Sequence, residues 1–213
     1  MTDISQIRND YSKAKLSVKK VLANPIDQFQ QWLNEAIHSE CAEPTAMAVS
    51  TVSPENTPSS RMVLLKGVID GDFVFYTNYN SRKGSHLNRN PVASALFFWP
   101  ELERQVNIEG VVTKGQPDES DAYFKTRPWK SRIGAIISPQ SQPIASRNEL
   151  KAAFVQEASK HLLGEIPRPV HWGGYHIKPH RIEFWQGRPN RLHDRVLFTL
   201  TNDNTWKIAR LAP

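Results

Sequence analysis

Val92-Ala93-Ser94-Ala95-Leu96-Phe97-Phe98-Trp99 is the stretch on which the fold turns. Read with the two-residue period of a strand, it is apolar on both faces: Val92, Leu96 and Phe98 on one, Ala93, Ala95, Phe97 and Trp99 on the other. Such a strand has to be covered on both sides, as in a barrel wall or at a subunit interface. Downstream, Arg104–Thr113 alternates cleanly, with Val106, Ile108 and Val112 opposite Gln105, Asn107 and Glu109. Upstream, Ala46–Ser53 and Ser59–Lys66 carry the same period around the turn Ser53-Pro54-Glu55-Asn56, and Asp70-Gly71 turns the chain into Phe73–Asn78. Strands near 173–178, 181–187, 190–201 and 205–211 complete the set.

Helices fill the gaps. Asn24 caps and Pro25 opens the first, whose Ile26, Phe29, Trp32, Leu33, Ala36 and Ile37 form one apolar stripe. A short helix is expected near 82–88, and another from Pro117 with Asp118 and Glu119 in its first turn, stopped by Pro128. Residues 146–163 place Leu150, Ala153, Phe154, Ala158 and Leu162 along one side of a further helix. Many antiparallel strands with a few helices predict a one-domain α+β barrel over 24–213, preceded by a mobile or loosely helical arm over 1–23.

Composition narrows the class. The chain has 213 residues, 39% hydrophobic and 23% charged, enough apolar residues for a real core. No window approaches the roughly 18 apolar residues of a membrane helix, and the N-terminus lacks a signal-peptide layout, so a soluble, cytoplasmic protein is expected. Cys41 is the only cysteine, which excludes an intrachain disulfide and a cysteine-built metal site. Lys plus Arg is 27 against 21 for Asp plus Glu, a formal charge of +6 that suits nucleic acid or a phosphorylated small molecule.

Three places carry positive charge that structure alone does not ask for. On a strand, Arg191, His193 and Arg195 of Arg191-Leu192-His193-Asp194-Arg195 share one face at about 7 Å intervals, as a solvated edge or as the bed of an anionic ligand. After the cap Ser81, Arg82 and Lys83 occupy a first helical turn, where the helix dipole disfavours cations unless an anion binds there. Tyr123 and Arg127 lie four apart on one helix face, with Ser131 just beyond Pro128, and together could surround a phosphate. Arg61 and Lys66 differ by an odd number, so a regular strand sends them to opposite faces and to different groups. Other chemistries drop out: Gln116 stands where a P-loop lysine belongs after Gly110 and Gly115, and no G-x-G-x-x-G or G-x-S-x-G motif is present. His176 and His180 flank Pro179, which forbids the helix that would bring both to one metal, and no metal site is expected.

With Ile182-Glu183-Phe184-Trp185-Gln186-Gly187 and Arg191-Leu192-His193-Asp194-Arg195 the sequence resembles the pyridoxine (pyridoxamine) 5′-phosphate oxidase family. The likeness continues through Arg61-Met62-Val63-Leu64-Leu65-Lys66, Phe75-Tyr76-Thr77-Asn78, Ser81-Arg82-Lys83, Leu102-Glu103-Arg104-Gln105-Val106, Gln140-Ser141 and Arg210-Leu211-Ala212-Pro213, from about Arg8 to the end. It implies an FMN-binding split β-barrel, antiparallel with peripheral helices, forming a homodimer with flavin at the interface. By the resemblance, Arg61, Arg82 and Lys83 hold the FMN phosphate, and the strand Arg61–Lys66 (with Met62, Val63, Leu64 and Leu65) passes along the flavin. Tyr76, Thr77, Gln105, Gln140, Ser141, Trp185 and Arg195 complete the FMN contacts.

The implied substrate phosphate falls to Lys66, Tyr123, Arg127 and Ser131, with Arg191, Leu192 and His193 over the pyridine ring and Arg8 and Tyr11 in a segment folding over the site. Arg191 and His193 are the implied catalytic pair. The implied reaction oxidises the 4′ carbon of pyridoxine or pyridoxamine 5′-phosphate, with O2 as electron acceptor, giving pyridoxal 5′-phosphate, H2O2 and, from the amine, ammonia. Trp129, Lys130 and Ile136 depart from the family's usual residues, as do Asn9 and Asp10. A different split-barrel flavoenzyme need not keep Tyr123, Arg127, Ser131, Arg191 and His193 together, and the presence of all five favours the oxidase. The rivals of other classes are a basic nucleic-acid-binding barrel, which would bind DNA or RNA with steep salt dependence and purify without yellow colour, and a catalytically idle binder or carrier of pyridoxal phosphate. The expected partners are therefore the phosphorylated substrate, O2 and a second copy of the chain, with no nucleic acid and no membrane.

Overall fold

Asn24 accepts a hydrogen bond from the Ile26 amide at 2.9 Å, and Pro25 follows where its missing N–H costs nothing, so helix α1 runs Pro25–His38. The computed structural model describes Ser5, residues 10–162 and residues 164–213. The strands are β1 (Ala46–Val52), β2 (Pro58–Leu64), β3 (Gly67–Ile69), β4 (Asp72–Asn78), β5 (Val92–Trp99), β6 (Arg104–Lys114), β7 (Trp172–Gln186), β8 (Asp194–Leu200) and β9 (Trp206–Leu211). The remaining helices are α2 (Arg82–Arg89), α3 (Pro117–Thr126), α4 (Trp129–Ile137) and α5 (Arg147–Lys160). Strand order is β2-β1-β5-β6-β7-β4-β3, with β8 added to β7 and β9 to β8. No helix among the described residues is long and apolar enough to cross a membrane.

The chain gathers into two units. One holds residues up to Val49 with Ser94–Gly110 and Pro179–Pro213. Its core is aromatic: Phe29 lies 4.9 Å from Phe97, Trp32 meets Phe184 edge-on at 5.2 Å, and Phe184 meets Phe198 at 5.6 Å. The other holds Ser50–Ala93 and Val111–Lys178. There β4 and the first half of β7 pair antiparallel from Phe73↔Ile177 to Asn78↔Trp172, burying Phe73, Phe75, Tyr175 and Ile177. Phe124, Ile133, Ile166 and Trp172 form a second cluster beneath α3 and α4.

Within this chain β5 is covered on one face, with Ala95, Phe97 and Trp99 buried, while Val92 is 40% and Phe98 51% exposed; of the two covers expected for that second face, a barrel wall or a subunit interface, the first is not met within the chain. Three expectations need correction. The two strands expected at 173–178 and 181–187 are one, β7; Pro179 falls between the residues paired with β4 and those paired with β8, so neither of those ladders needs its missing N–H. Strand β8 begins only at Asp194, because Pro189–Arg191 form a 3-10 turn in which Asn190 (φ 56°) and Arg191 (φ 59°) are left-handed. Arg191, His193 and Arg195 therefore do not share a strand face. Likewise β2 ends at Leu64, so strand parity says nothing about Lys66, whose amide donates to the Val74 carbonyl at 2.8 Å. The sequence reading also missed β3 and α4, both short.

Candidate active site

The cation at the start of α2 is buried. Ser81 caps the helix, accepting from the Gly84 amide and donating its hydroxyl to the Asn78 carbonyl at 2.7 Å. Gly84 has no room for a side chain, since a Cβ there would stand 2.0 Å from the Tyr79 carbonyl oxygen. Lys83, next to it in the same turn, is only 7% exposed. Its Nζ donates to Thr77 Oγ1 at 2.9 Å, Gln140 Oε1 at 3.1 Å and Ser81 Oγ at 3.3 Å, neutral acceptors throughout. Burial, and then the charge of Arg61, push the Lys83 pKa down to about 8. Arg61 donates to Thr51 Oγ1 at 2.9 Å and Ser59 Oγ at 2.6 Å, and Thr51 in turn meets His86 Nδ1 at 3.1 Å. Arg82 is exposed on the outer side of the same first turn.

Beside Lys83 opens a cavity of about 290 Å³ lined by Met62, Val63, Leu64, Lys66, Tyr76, Thr77, Lys83, Tyr123, Arg127, Gln140 and Trp172. Its lining holds three cations and no carboxylate. One wall is an aromatic stack: Tyr76 lies 3.9 Å from Tyr123 at 16°, and Trp172 continues the stack 5.5 Å from Tyr76. Arg127, just past the end of α3, lays its guanidinium 4.5 Å above the Trp172 ring. Its Nη1 is buried and finds no hydrogen-bond partner among the described residues. Burial lowers the Arg127 pKa. A buried, unpartnered guanidinium N–H is costly unless an anion meets it.

Most of the expected phosphate grips of this unit thus converge. Leu65, 4% exposed, belongs to the core, and neither it nor Arg61, Arg82, Ser131 or Ser141 lines the cavity. Ser131 sits in the first turn of α4, and Ser141 is exposed with φ 71°.

The second group lies in the other unit. Gln105, Trp185 and Arg195 line a cavity of about 270 Å³ together with Leu96, Asn107, Glu183 and Pro213. Arg195 is held in a two-pronged pair by Glu183 at 2.7 and 3.0 Å and donates to the Ala212 carbonyl at 3.0 Å; Glu183 raises its pKa further. His193 lies 4.6 Å from Trp185, and Tyr11 packs against both at 5.7 and 5.8 Å, resting on Gly187, where a Cβ would stand 2.7 Å from the Tyr11 side chain. His193 Nδ1 accepts from the Arg188 amide at 3.1 Å, which places the proton of the neutral ring on Nε2. Burial, and then Arg191, lower its pKa. Arg191 and Leu192 are exposed. Arg8 lies outside the described residues.

Sequence reasoning missed several members. Asp194, buried, accepts from the Leu16 amide at 3.1 Å and from Arg210 at 2.6 Å, tying both ends of the described chain to the start of β8. Glu119 accepts from the Tyr76 hydroxyl at 3.0 Å and meets His176 Nε2 at 2.9 Å. Trp172 supports Arg127. Only Glu119 left a local signal, standing four residues before Tyr123 and eight before Arg127 on one helical stripe.

Residues 33–161 match the family model described as pyridoxamine 5′-phosphate oxidase, and residues 172–213 match the pyridoxine 5′-phosphate oxidase C-terminal dimerisation region. A Bacteroides thetaiotaomicron protein named pyridoxine/pyridoxamine 5′-phosphate oxidase is 58% identical over 213 residues, covering 100% of both chains. A protein of the same name from Chromobacterium violaceum is 51% identical, covering 99% of each. Among solved structures, PhzG from Burkholderia lata 383, in complex with tetrahydrophenazine-1-carboxylic acid, superposes with a TM-score of 0.88 at 28% identity over 95% of this chain and 100% of its own. A pyridoxamine 5′-phosphate oxidase-related, FMN binding protein from Nostoc punctiforme shares the fold, with a TM-score of 0.71 at 16% identity over 87% of this chain and 97% of its own. The antiparallel sheet with peripheral helices is the split β-barrel of these neighbours.

Proposed function

We propose, for a chain that belongs to the pyridoxine/pyridoxamine 5′-phosphate oxidase family, that it oxidises pyridoxine 5′-phosphate or pyridoxamine 5′-phosphate at the 4′ carbon to pyridoxal 5′-phosphate, with O2 consumed and H2O2 released, and ammonia released from the amine. The observation that carries this reading is the cavity walled by the aromatic stack: Lys66 and Arg127 in a lining that shows no carboxylate among the described residues, and a buried Arg127 Nη1 with no partner among them. A phosphate ester answers all of these needs at once.

The residues fit FMN as well. Lys83, buried among neutral acceptors at a helix N-terminus, suits a phosphate better than the neutral partners it has among the described residues. Arg61, Arg82 and Lys83 would hold the FMN phosphate, with the Met62–Lys66 backbone, Tyr76, Thr77, Gln105, Gln140, Ser141, Trp185 and Arg195 completing its contacts. When bound, the flavin supplies the two-electron acceptor that no side chain can provide. Lys66, Tyr123, Arg127 and Ser131 bind the substrate phosphate and fix its distance from the reacting carbon. Arg191, exposed on its left-handed turn, closes over the substrate ring. His193, neutral with its proton on Nε2, donates to a ring substituent and orients it. The site is completed in a homodimer, to which the matched dimerisation region and the open face of β5 at Val92 and Phe98 both lend support.

Turnover tests this directly. Purified protein with FMN and pyridoxine 5′-phosphate in air should form pyridoxal 5′-phosphate and H2O2 in equal amounts. FMN binding without either product would point instead to another split-barrel flavoenzyme, and failure to bind FMN would overturn the flavin assignment.

A further inference from the structure

The phosphate grip is held from behind. Glu119 sits in the first turn of α3. Its Oε1 accepts from the Tyr76 hydroxyl at 3.0 Å, and both its oxygens meet His176 Nε2, at 2.9 and 3.0 Å. Tyr76 is on β4 and His176 on β7, neighbouring strands whose register pairs Val74 with His176. One carboxylate therefore staples α3 to two strands.

Two glycines make that staple tight. A Cβ at Gly174 would stand 3.1 Å from the Tyr76 ring, and one at Gly115 would stand 3.1 Å from His176 Nε2 and 3.3 Å from Glu119. The far end of the staple is the wall of the cavity, because Tyr76 is stacked on Tyr123 at 3.9 Å and both rings line it. Tyr123 and Arg127 follow Glu119 at steps of four on α3 and its end, so whatever sets the helix against Tyr76 also sets where the phosphate ligands stand. Burial and Glu119 together hold the Tyr76 hydroxyl protonated far above its ordinary range, so it remains a donor at every working pH.

We propose that Glu119 is a positioning residue for substrate: through Tyr76, and braced by His176, it sets the Tyr76–Tyr123–Trp172 stack and with it the Tyr123–Arg127 phosphate grip. The tie ends on Tyr76, one ring of the cavity wall, and reaches Tyr123 through the stack.

The inference rests on the oxidase reading, and the tests separate the two. With the FMN-loaded protein, Glu119→Ala should raise KM for pyridoxine 5′-phosphate about tenfold with kcat within about threefold. Glu119→Gln, which keeps an acceptor for the Tyr76 hydroxyl, should recover most of that loss. Tyr76→Phe should raise KM in the same direction, and the Tyr76→Phe/Glu119→Ala pair should do less than the product of the single changes. A binding measurement is independent of turnover: Glu119→Ala should weaken 4′-deoxypyridoxine 5′-phosphate, which lacks the 4′ hydroxyl and cannot be turned over to the aldehyde, about tenfold and leave unphosphorylated 4′-deoxypyridoxine within about twofold. A folded Glu119→Ala with unchanged KM, equal loss of both analogues, or multiplicative behaviour of the pair overturns the proposal. If Glu119→Ala does not fold, Tyr76→Phe carries the test, and an unchanged KM there overturns it. Absence of turnover in the unaltered protein would overturn the oxidase reading, while the analogue comparison would still judge the grip.

Discussion

Binding of FMN should weaken as pH rises above about 8, and Lys83 supplies the reason. Its ammonium is 7% exposed, surrounded by the Thr77 and Ser81 hydroxyls and the Gln140 amide oxygen, with no carboxylate among these partners. Burial brings its pKa from 10.5 to about 8 in the free protein. A bound phosphate dianion restores the preference for the charged form, so binding above that pH must be accompanied by proton uptake. At pH 9 the free group is about 90% neutral, and recharging it costs about 1.4 kcal/mol, or close to a tenfold rise in Kd relative to pH 7. The second phosphate pKa, at about 6, lies below this window and adds little slope.

Flavin fluorescence quenching gives Kd at each pH, and calorimetry in buffers of different ionisation heat counts the proton, expected to approach one at pH 9. Lys83→Met keeps the stem of the side chain and should show weaker binding at pH 7 with a flat profile. A Kd that does not change between pH 7 and 9, or the same slope in Lys83→Met, would refute the reasoning. The ligand-free chain should show the linked effect on stability. Between pH 8 and 10.5 the unfolded lysine holds its proton more often than the folded one, so Lys83's contribution to stability rises with pH through that interval.

Other changes read other parts of the structure. Arg127→Lys loses the planar group that lies on Trp172 and should raise KM for the phosphorylated substrate about tenfold with kcat nearly kept, measured by steady-state kinetics. Gly84→Ala puts a methyl into the Tyr79 carbonyl and should cost about 2–3 kcal/mol, seen as a lower urea midpoint, with FMN binding weakened because the start of α2 must move. Asp194→Ala strands the Leu16 amide and frees Arg210, and a loss of about 2 kcal/mol should lower Tm by roughly 4–8 °C in a melting experiment. Because burial and Arg191 both lower the His193 pKa, the acid limb of kcat/KM assigned to this ring should lie below 6.5, and Arg191→Ala should move it upward.

What was legible in the sequence is what neighbouring residues decide among themselves. Asn24-Pro25 starts α1, Ser81 caps α2, and Pro117-Asp118-Glu119 opens α3, because a cap or a first-turn charge acts over three or four residues. Alternation marks β1 and β6 for the same reason, since the side-chain period belongs to the strand itself. The resemblance then pointed to Lys66, Lys83, Tyr123 and Arg127, which the fold gathers around one cavity.

Where strands stop was harder to see. Arg191 and His193 look like a continuation of β8 until Pro189 and the left-handed Asn190 bend the chain away, and Lys66 looks like part of β2 although Leu64 ends it. Short β3 has too few residues to show a period, and α4 starts after Pro128 without the side-chain cap that announces α2. The partners that set each charge were beyond local reading altogether. Lys83 finds Gln140, Tyr76 finds Glu119, and Asp194 finds Leu16 across 57, 43 and 178 residues of chain. Which amino acids could hold a phosphate is a property of their side chains and was written in the sequence. Which of them are buried, which face an acid and which are left without one depends on desolvation and on contacts between distant segments, and only the folded chain brings those into being.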